Sequence, residues 1–141
     1  MIVLDANLLS EWLRFDPHPS VLAWSAGVDA AAMVTTAITE AELRVGRGFM
    51  PEGARRQRLA MAIDEMLTHR LGGRVLPFDS TAAGFYAAFV ADRRRQGRPA
   101  AAADAMIAAV ARARGAAAIA TRNIADFAGC GVPLIDPWAT A

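Results

Sequence analysis

The sequence predicts an α/β fold with three layers, α/β/α, built around a mainly parallel central sheet of four to five strands. Short apolar runs that suit buried strands alternate along the chain with longer segments whose apolar residues recur at helical spacing. Neither an internal repeat nor a linker interrupts this alternation. Because strands that alternate with helices form parallel sheets covered on both faces, we expect one domain over residues 1–141.

The chain opens with an apolar run that ends in a carboxylate. Residues 1–7 read MIVLDAN, and four consecutive apolar residues are typical of a strand that is buried on both faces. Asp5 follows this run directly. It is therefore predicted at the carboxyl end of the first strand, where open α/β sheets bind their ligands.

Two short helices are predicted after the first strand. Residues 8–14 suit a helix with Asn7 as its cap, and residues 20–26 suit another with Ser20 as its cap. His18 lies between two prolines, which favours a loop position over a ligand role.

A second strand is predicted over residues 31–36, and a helix start follows it. Thr39 and Glu42 have the spacing of a capping box, in which Thr39 is the N-cap and Glu42 the third helical residue. Ile38 and Leu43 stand where a hydrophobic staple would place them. This helix is expected to end near Gly48.

The remaining elements continue the alternation. Pro77 lacks a backbone N–H and so predicts an edge or terminal position for its strand. A helix capped by Asp79 or Ser80 is expected to close in the basic segment 92–98. Further helices are predicted over residues 54–71 and 101–114, and further strands over residues 74–78, 116–121 and 132–135.

Composition argues against several classes of protein. The single cysteine, Cys130, excludes an internal disulfide framework and argues against a cysteine-based zinc cluster. All fifteen basic residues are arginines at a net charge of +1, which we attribute to a GC-rich genome in preference to phosphate binding. Charged residues interrupt the alanine-rich segment 100–120, and the chain starts without the pattern of a signal peptide. We therefore expect a cytoplasmic protein with no membrane segment.

Two acidic residues near the start of the chain allow two interpretations each. Asp5 suits a helix cap as well as a ligand at the sheet edge. The capping box accounts for Glu42, but its helix starts just after a strand, so Glu42 could instead turn toward that edge. Glu40 is two residues away on the same helix and faces well away from Glu42.

The second half of the chain adds three further polar candidates. Asp104 stands among alanines at the border of a buried helix face, and we favour a functional role over a favourable contact with the helix dipole. Asn123 and Asp126 follow the strand predicted over 116–121, where a turn former and a helix cap are the plain alternatives. Clustered carboxylates repel one another or bind a cation, and oxygen-only ligands select Mg²⁺ or Mn²⁺ over zinc.

Four segments of the sequence resemble the four acidic motifs of PIN-domain ribonucleases. They read MIVLDANLLSEWLR, TTAITEAELRVG, AAAADAMIAAVARARG and IATRNIADF. The greatest similarity is to the VapC/FitB-type toxins of bacterial toxin–antitoxin pairs, and it extends to RVLPFD and to the closing Pro-Trp. This resemblance implies a single PIN-like nuclease domain over residues 1–141.

The resemblance also implies the residues of a catalytic site. Asp5, Glu42 and Asp104 match the metal-binding acids of the family. The family's fourth acid often follows the threonine of the last motif, where this chain has Asn123. Asp126 matches a further acid of that motif, which leaves open whether Asn123 or Asp126 completes the site.

The implied activity is Mg²⁺-dependent hydrolysis of RNA phosphodiesters, with Mn²⁺ as a possible substitute. Asp5 and Asp104 would hold the metal directly or through water, while Glu42 positions or deprotonates the attacking water. The resemblance further implies a homodimer and a cognate antitoxin whose tail covers the active-site groove. The arginines that could contact RNA phosphates, each also explained by an ordinary solvated surface, are Arg44, Arg47, Arg93, Arg94, Arg95 and Arg122.

Two alternatives come from other classes of protein. A phosphatase of the haloacid dehalogenase type also has an Asp after its first strand. It usually needs a second Asp where this chain has Asn7, and a lysine, which the chain lacks. The other alternative is a non-enzymatic acidic module that binds a basic peptide without a metal.

Overall fold

A five-stranded sheet forms the centre of the molecule in the computed structural model, which describes residues 1–139. The strands are β1 (Ile2–Leu4), β2 (Met33–Thr36), β3 (Val75–Leu76), β4 (Ala118–Ala120) and β5 (Leu134–Ile135). They lie in the order β3-β2-β1-β4-β5, and all four pairings between neighbours are parallel. The predicted parallel sheet of four to five strands is thereby confirmed.

Helices connect these strands throughout the described residues 1–139. The helices are α1 (Ala6–Trp12), α2 (Pro19–Gly27), α3 (Ala37–Gly48), α4 (Ala54–Glu65), α5 (Ser80–Arg95), α6 (Ala102–Ala113) and α7 (Ile124–Phe127). A 3₁₀ turn over Ala30–Ala32 precedes β2, and α4 continues into a π-helical turn over Met66–Arg70.

Two apolar cores lie on opposite faces of the sheet, because successive side chains of a strand point to opposite sides. Leu4 packs into a core with side chains of α1 to α4, among them Ile63. Its neighbour Val3 packs into the other core with side chains of α5 to α7, among them Phe89 and Phe127. Helices on both faces of a parallel sheet confirm the three-layer α/β/α prediction.

The strand order reverses beside β1. The chain moves outward from β1 through β2 to β3, with the intervening helices on one face, and then returns through α5 and α6 on the other face to β4. The carboxyl ends of β1 and β4 therefore flank the point of reversal, which is where ligands bind in folds of this kind.

Pro77 has the position predicted for it. It directly follows β3, which has β2 as its single neighbour at one edge of the sheet. A residue without an N–H removes no interior hydrogen bond there.

Two helices begin at caps other than Asn7 and Ser20. Asp5, which the sequence also allowed as a helix cap, caps α1, and its carboxylate accepts a hydrogen bond from the backbone N–H of Leu8 at 3.0 Å. His18, not Ser20, caps α2, and its Nδ1 accepts from the backbone N–H of Ser20 at 3.2 Å. In each case the helix starts earlier than the sequence indicated, so the residue predicted as cap lies inside the first turn.

The capping box predicted for the third helix is also wrong. Thr36 is the N-cap of α3, and its hydroxyl accepts from the backbone N–H of Thr39 at 3.1 Å. Thr36 still has extended backbone angles as the last residue of β2, whereas Thr39 is already helical. The helix thus starts as soon as the strand ends, and Glu42 has no part in its capping.

Several strands are shorter than the sequence indicated, because turns occupy their predicted ends. The 3₁₀ turn over Ala30–Ala32 takes the start of the segment predicted as 31–36. The last two strands contain three and two residues instead of the spans 116–121 and 132–135.

Within residues 1–139 no helix is long and apolar enough to cross a membrane. The single-domain prediction for 1–141 stays a prediction, since residues 140 and 141 lie outside the described part.

Candidate active site

Four acidic residues belong to elements that meet at the carboxyl edge of the sheet. Asp5 follows β1, and Glu42 lies in the second turn of α3, which begins directly after β2. Asp126 lies in α7, just beyond β4. Asp104 lies in the first turn of α6, which leads back to the start of β4 and therefore begins at this same edge. The fold thus brings together the four acids that the sequence singled out.

Asp5 is buried at the centre of this group, with only 3% of its surface exposed. One carboxylate oxygen caps α1, and the other accepts a hydrogen bond from the Thr121 hydroxyl at 2.6 Å. Burial raises the pKa of Asp5 from 3.8 to about 6, against the lowering effect of these hydrogen bonds, and the charge of Asp104 raises it further. The carboxylate is held in one position and is costly to charge there without a nearby cation.

The hydrogen bond from Thr121 joins the two strands at the point of reversal. Thr121 follows β4 directly and has no exposed surface. While its hydroxyl donates to Asp5, the same oxygen accepts from the backbone N–H of Asn123 at 2.9 Å. This chain of hydrogen bonds fixes the turn after β4 relative to the end of β1.

Glu42 is largely exposed at the rim of the site. Partial burial raises its pKa, and the charges of Asp104 and Asp5 raise it further. Glu40, by contrast, pairs with Arg44 at 2.8 Å, so the two glutamates have separate surroundings, as the sequence indicated. Because Thr36 caps α3, helix capping does not account for Glu42.

Asp104 is half-buried at the start of α6, a helix whose N-cap, Ala101, provides no side-chain hydrogen bond. Burial raises the pKa of Asp104, and the charge of Asp126 raises it further. Asp104 in turn raises the pKa of both Asp5 and Glu42. It is therefore the member of the group that is coupled to each of the other three.

The two candidates for the fourth position differ in their connections. Asp126 is exposed on α7 and acts on Asp104 through its charge. Asn123 is the residue before α7, and its side chain makes no capping hydrogen bond. Asp126 is not the cap suggested as an alternative, since it lies within the helix. The electrostatic coupling within the site thus extends to Asp126.

The chemistry of these donors fits a hard divalent cation. All four side chains offer carboxylate oxygens, and three of them have pKa values raised toward neutrality, partly by the charges of the others. Among residues 1–139 no three His, Cys, Asp or Glu side chains are arranged as a ready metal cage. Mg²⁺ typically uses one or two carboxylates and completes its shell with water and substrate oxygens, so the donors present suffice for it.

Comparison with known proteins assigns a family to this arrangement. The sequence profile of the PIN domain matches residues 2–128. The chain belongs to the PIN domain family. The resemblance to PIN-domain ribonucleases of the VapC/FitB type, stated from the sequence, is confirmed.

Relatives of this PIN domain match it along almost their whole length. It is 40% identical to "VapC ribonuclease Y4jK" of Sinorhizobium fredii, with all of both chains covered. It is 35% identical to "Toxin FitB" of Neisseria gonorrhoeae, with 98% of this chain and 99% of that protein covered. Among solved structures, "Structure of FitAB bound to IR36 DNA fragment" is similar at a TM-score of 0.91 and 33% identity, covering 100% of this chain and 98% of that one.

Two buried threonines support Asp5, and the sequence analysis did not identify either of them as part of the site. Thr121 holds Asp5, as described above. Thr35, one residue before the end of β2, donates to the backbone carbonyl of Leu4 at 2.7 Å and so supports the residue that precedes Asp5. The sequence does contain an indication of this role, since a threonine at the end of an apolar strand is buried and its hydroxyl then needs a hydrogen-bond partner.

The structure gives two of the candidate RNA-binding arginines other roles. Arg93 is buried, and its guanidinium donates to three backbone carbonyls, so the suggestion that it contacts RNA is wrong. Arg44 pairs with Glu40 and, at 2.9 Å, with Asp64. Arg122 is exposed, with its guanidinium 5.4 Å from the ring centroid of Trp138.

A cleft of about 420 Å³ begins beside Glu42 and runs between α1, α3 and α4. Its floor is apolar, and arginines border it. The residues that line it are Ala6, Ser10, Leu13, Arg14, Glu42, Leu43, Gly46, Arg47, Leu59 and Ile63. A smaller cavity of about 270 Å³, between α5, α6 and the loop after α7, contains none of the four acids.

Proposed function

We propose that this PIN domain is a Mg²⁺-dependent endoribonuclease, the toxin of a toxin–antitoxin pair. The observation that carries the proposal is the group of four carboxylates, each coupled to at least one other, at the point where the strand order reverses. The names of its relatives, a VapC ribonuclease and the toxin FitB, support the same activity.

Asp5 and Asp104 are the residues that would hold the metal. Both are at least half-buried and carry carboxylates whose charge a cation would stabilise. When bound, Mg²⁺ or Mn²⁺ would lower the pKa of a water molecule and offset charge on the phosphate during its hydrolysis. Thr121 keeps Asp5 in place, so the ligand is oriented before the metal and the substrate arrive.

Glu42 is suited to be the general base. Its side chain is exposed to substrate and water, and its raised pKa makes it a better proton acceptor than an ordinary carboxylate. It would take a proton from the attacking water. The P–O3′ bond then breaks and the 3′ oxygen takes up a proton from the solvent, leaving a 5′-phosphate and a 3′-hydroxyl.

The partners of this activity are also proposed. A cognate antitoxin is supported by the similar solved structures of FitAB bound to a DNA fragment and of DNA-bound VapBC from Salmonella typhimurium, which are toxin–antitoxin complexes. The apolar cleft beside Glu42 is a surface that its tail could cover. We also propose that the protein forms a homodimer and that it acts in the cytoplasm.

The first experiment measures cleavage of structured RNA by the purified, partner-free protein. We expect cleavage with Mg²⁺ or Mn²⁺, 5′-phosphate products, and loss of activity with EDTA or in Asp5→Asn, which removes a charged metal ligand. Asp16→Asn, a change of the same kind at an exposed site, should leave cleavage intact. Cleavage that persists in EDTA would overturn the metal site.

The same preparation separates the alternative functions. A phosphatase would hydrolyse p-nitrophenyl phosphate through a covalent aspartyl intermediate, and a binding module would bind a basic peptide without metal. Inducible expression of wild type beside Asp104→Asn tests the toxin role. Growth arrest by wild type alone is expected, and equal growth of the two strains would contradict a toxin.

A further inference from the structure

Arg93 is an arginine buried without a carboxylate partner. Only 5% of its surface is exposed, although it lies in the basic last turn of α5, where Arg94 and Arg95 are exposed. Within residues 1–139 no acidic side chain forms an ion pair with it. Burying a cation is costly unless its donors are satisfied, so the contacts of its guanidinium explain its position.

These contacts hold the segment that carries Asp126. One terminal nitrogen of Arg93 donates to the backbone carbonyls of Ala125 and Ala128, both at 3.0 Å. Its Nε donates to the carbonyl of Arg98 at 2.6 Å, which fixes the guanidinium from the other side. Ala125 lies in α7 immediately before Asp126, and Ala128 follows the helix two residues after that acid, so Arg93 restrains the backbone on both sides of Asp126.

The segment needs such a restraint. α7 has only four residues, and a helix of one turn is not stable by itself. Phe127 is fully buried and anchors α7 to the core, and the hydrogen bond from the Asn123 N–H to Thr121 holds the turn before the helix. Arg93 adds contacts at the C-terminal end of α7, where its planar guanidinium binds two backbone carbonyls.

We propose that Arg93 is a positioning residue that holds Asp126 opposite Asp104 in the nuclease site. The inference rests on the proposed function, because Asp126 matters for cleavage only if the four acids form that site. Arg93 itself acts through the backbone of α7 and touches none of the acids. Its role is to hold α7, which carries Asp126, in place against the last turn of α5.

The test compares Arg93→Met with Arg114→Met, which removes the same charge from an exposed position at the far end of α6. The primary measurement is amide hydrogen exchange at residues 124–128 in metal-free protein, with thermal melting to show that each variant folds. We expect faster exchange in this segment for Arg93→Met alone. Arg93→Lys, with a single ammonium in place of the planar fork, should give an intermediate rate. Exchange unchanged from wild type in Arg93→Met would overturn the positioning role.

The second measurement is a double-mutant cycle in the RNA-cleavage assay. We expect Arg93→Met to lower kcat about 10- to 100-fold with little change in KM, as loss of an orienting partner does. In an Asp126→Asn background the same change should alter kcat by no more than about twofold, because the two residues act as one unit. Additive losses would overturn a role through Asp126. Absence of cleavage by wild type would contradict the nuclease proposal, and the exchange data would then still decide the role of Arg93.

Discussion

At the scale of single residues, the helix-cap role of Asp5 is compatible with the ligand role that the sequence presented as its alternative. One oxygen of its carboxylate caps α1, and the other accepts from Thr121. A carboxylate has about four lone-pair sites, so these two bonds leave room for a metal or a proton. The cap orients the side chain and the burial raises its pKa, so the structural role prepares the chemical one.

The raised pKa of Asp5 predicts how the stability of the metal-free protein depends on pH. Its folded-state pKa of about 6 exceeds its ordinary 3.8, so the folded protein binds this proton more tightly than the unfolded chain does. The contribution of Asp5 to the free energy of unfolding should therefore be fully present below pH 4 and be lost as the pH rises through 6. This contribution is roughly 3 kcal/mol at most. Glu42 and Asp104 add to it in the same direction.

Urea unfolding between acid and neutral pH, in EDTA, measures this dependence. Asp5→Asn removes the titration of Asp5 while keeping an oxygen to cap α1, so its stability should decline less steeply with pH than that of wild type. Asp16→Asn should follow the wild-type curve. A wild-type slope in Asp5→Asn would show that the burial of Asp5 has no such consequence.

At the scale of elements, α3 shows why a good local motif can be misplaced. The spacing of Thr39 and Glu42 satisfies the capping box, but a cap also requires extended backbone angles at its first residue. Pairing of β2 with β1 and β3 extends the chain up to Thr36 and releases it there. The end of the strand, set by contacts distant in sequence, decides which threonine becomes the cap.

The hydroxyl of Thr36 is expected to stabilise the start of α3. Thr36→Ala should lower the free energy of unfolding by about 1 kcal/mol beyond the loss in Thr36→Ser, which keeps the capping oxygen. Urea unfolding of the two variants measures the difference. Equal stabilities of the two variants would show that the capping oxygen of Thr36 contributes nothing. Glu42→Ala should leave the stability of α3 unchanged, whereas a capping box would require a loss.

At the scale of the whole molecule, the sheet assembles a site from segments that are far apart in the chain. The bond between Thr121 and Asp5 spans 116 residues, and α3 and α6 bring Glu42 and Asp104 to the same edge. Each pair of like charges costs free energy in the metal-free protein. Repulsion among these carboxylates therefore lowers the free energy of unfolding of the metal-free protein, and a bound cation would reduce that repulsion.

Binding of Mn²⁺ should accordingly raise the melting temperature. At a concentration about 100 times the dissociation constant, the metal adds about 2.7 kcal/mol, which corresponds to roughly 5–10 °C in a domain of this size. Asp104→Asn, which removes a proposed ligand, should lose most of the increase, and Asp16→Asn should keep it. A melting temperature that does not respond to Mn²⁺ in wild type would contradict the metal site. Differential scanning calorimetry measures all three proteins.

The sequence by itself determined the alternation of strands and helices and the edge position of β3, and it singled out the four acids of the candidate site, because hydrophobic period, proline chemistry and chain order are local properties. Tertiary structure alone decided the cap of α3, the burial of Arg93 and the bond from Thr121 to Asp5. Each of these depends on where a strand ends or on which distant groups meet in the core. Contacts of that kind leave no period in the sequence, so they appear only when the sheet is assembled.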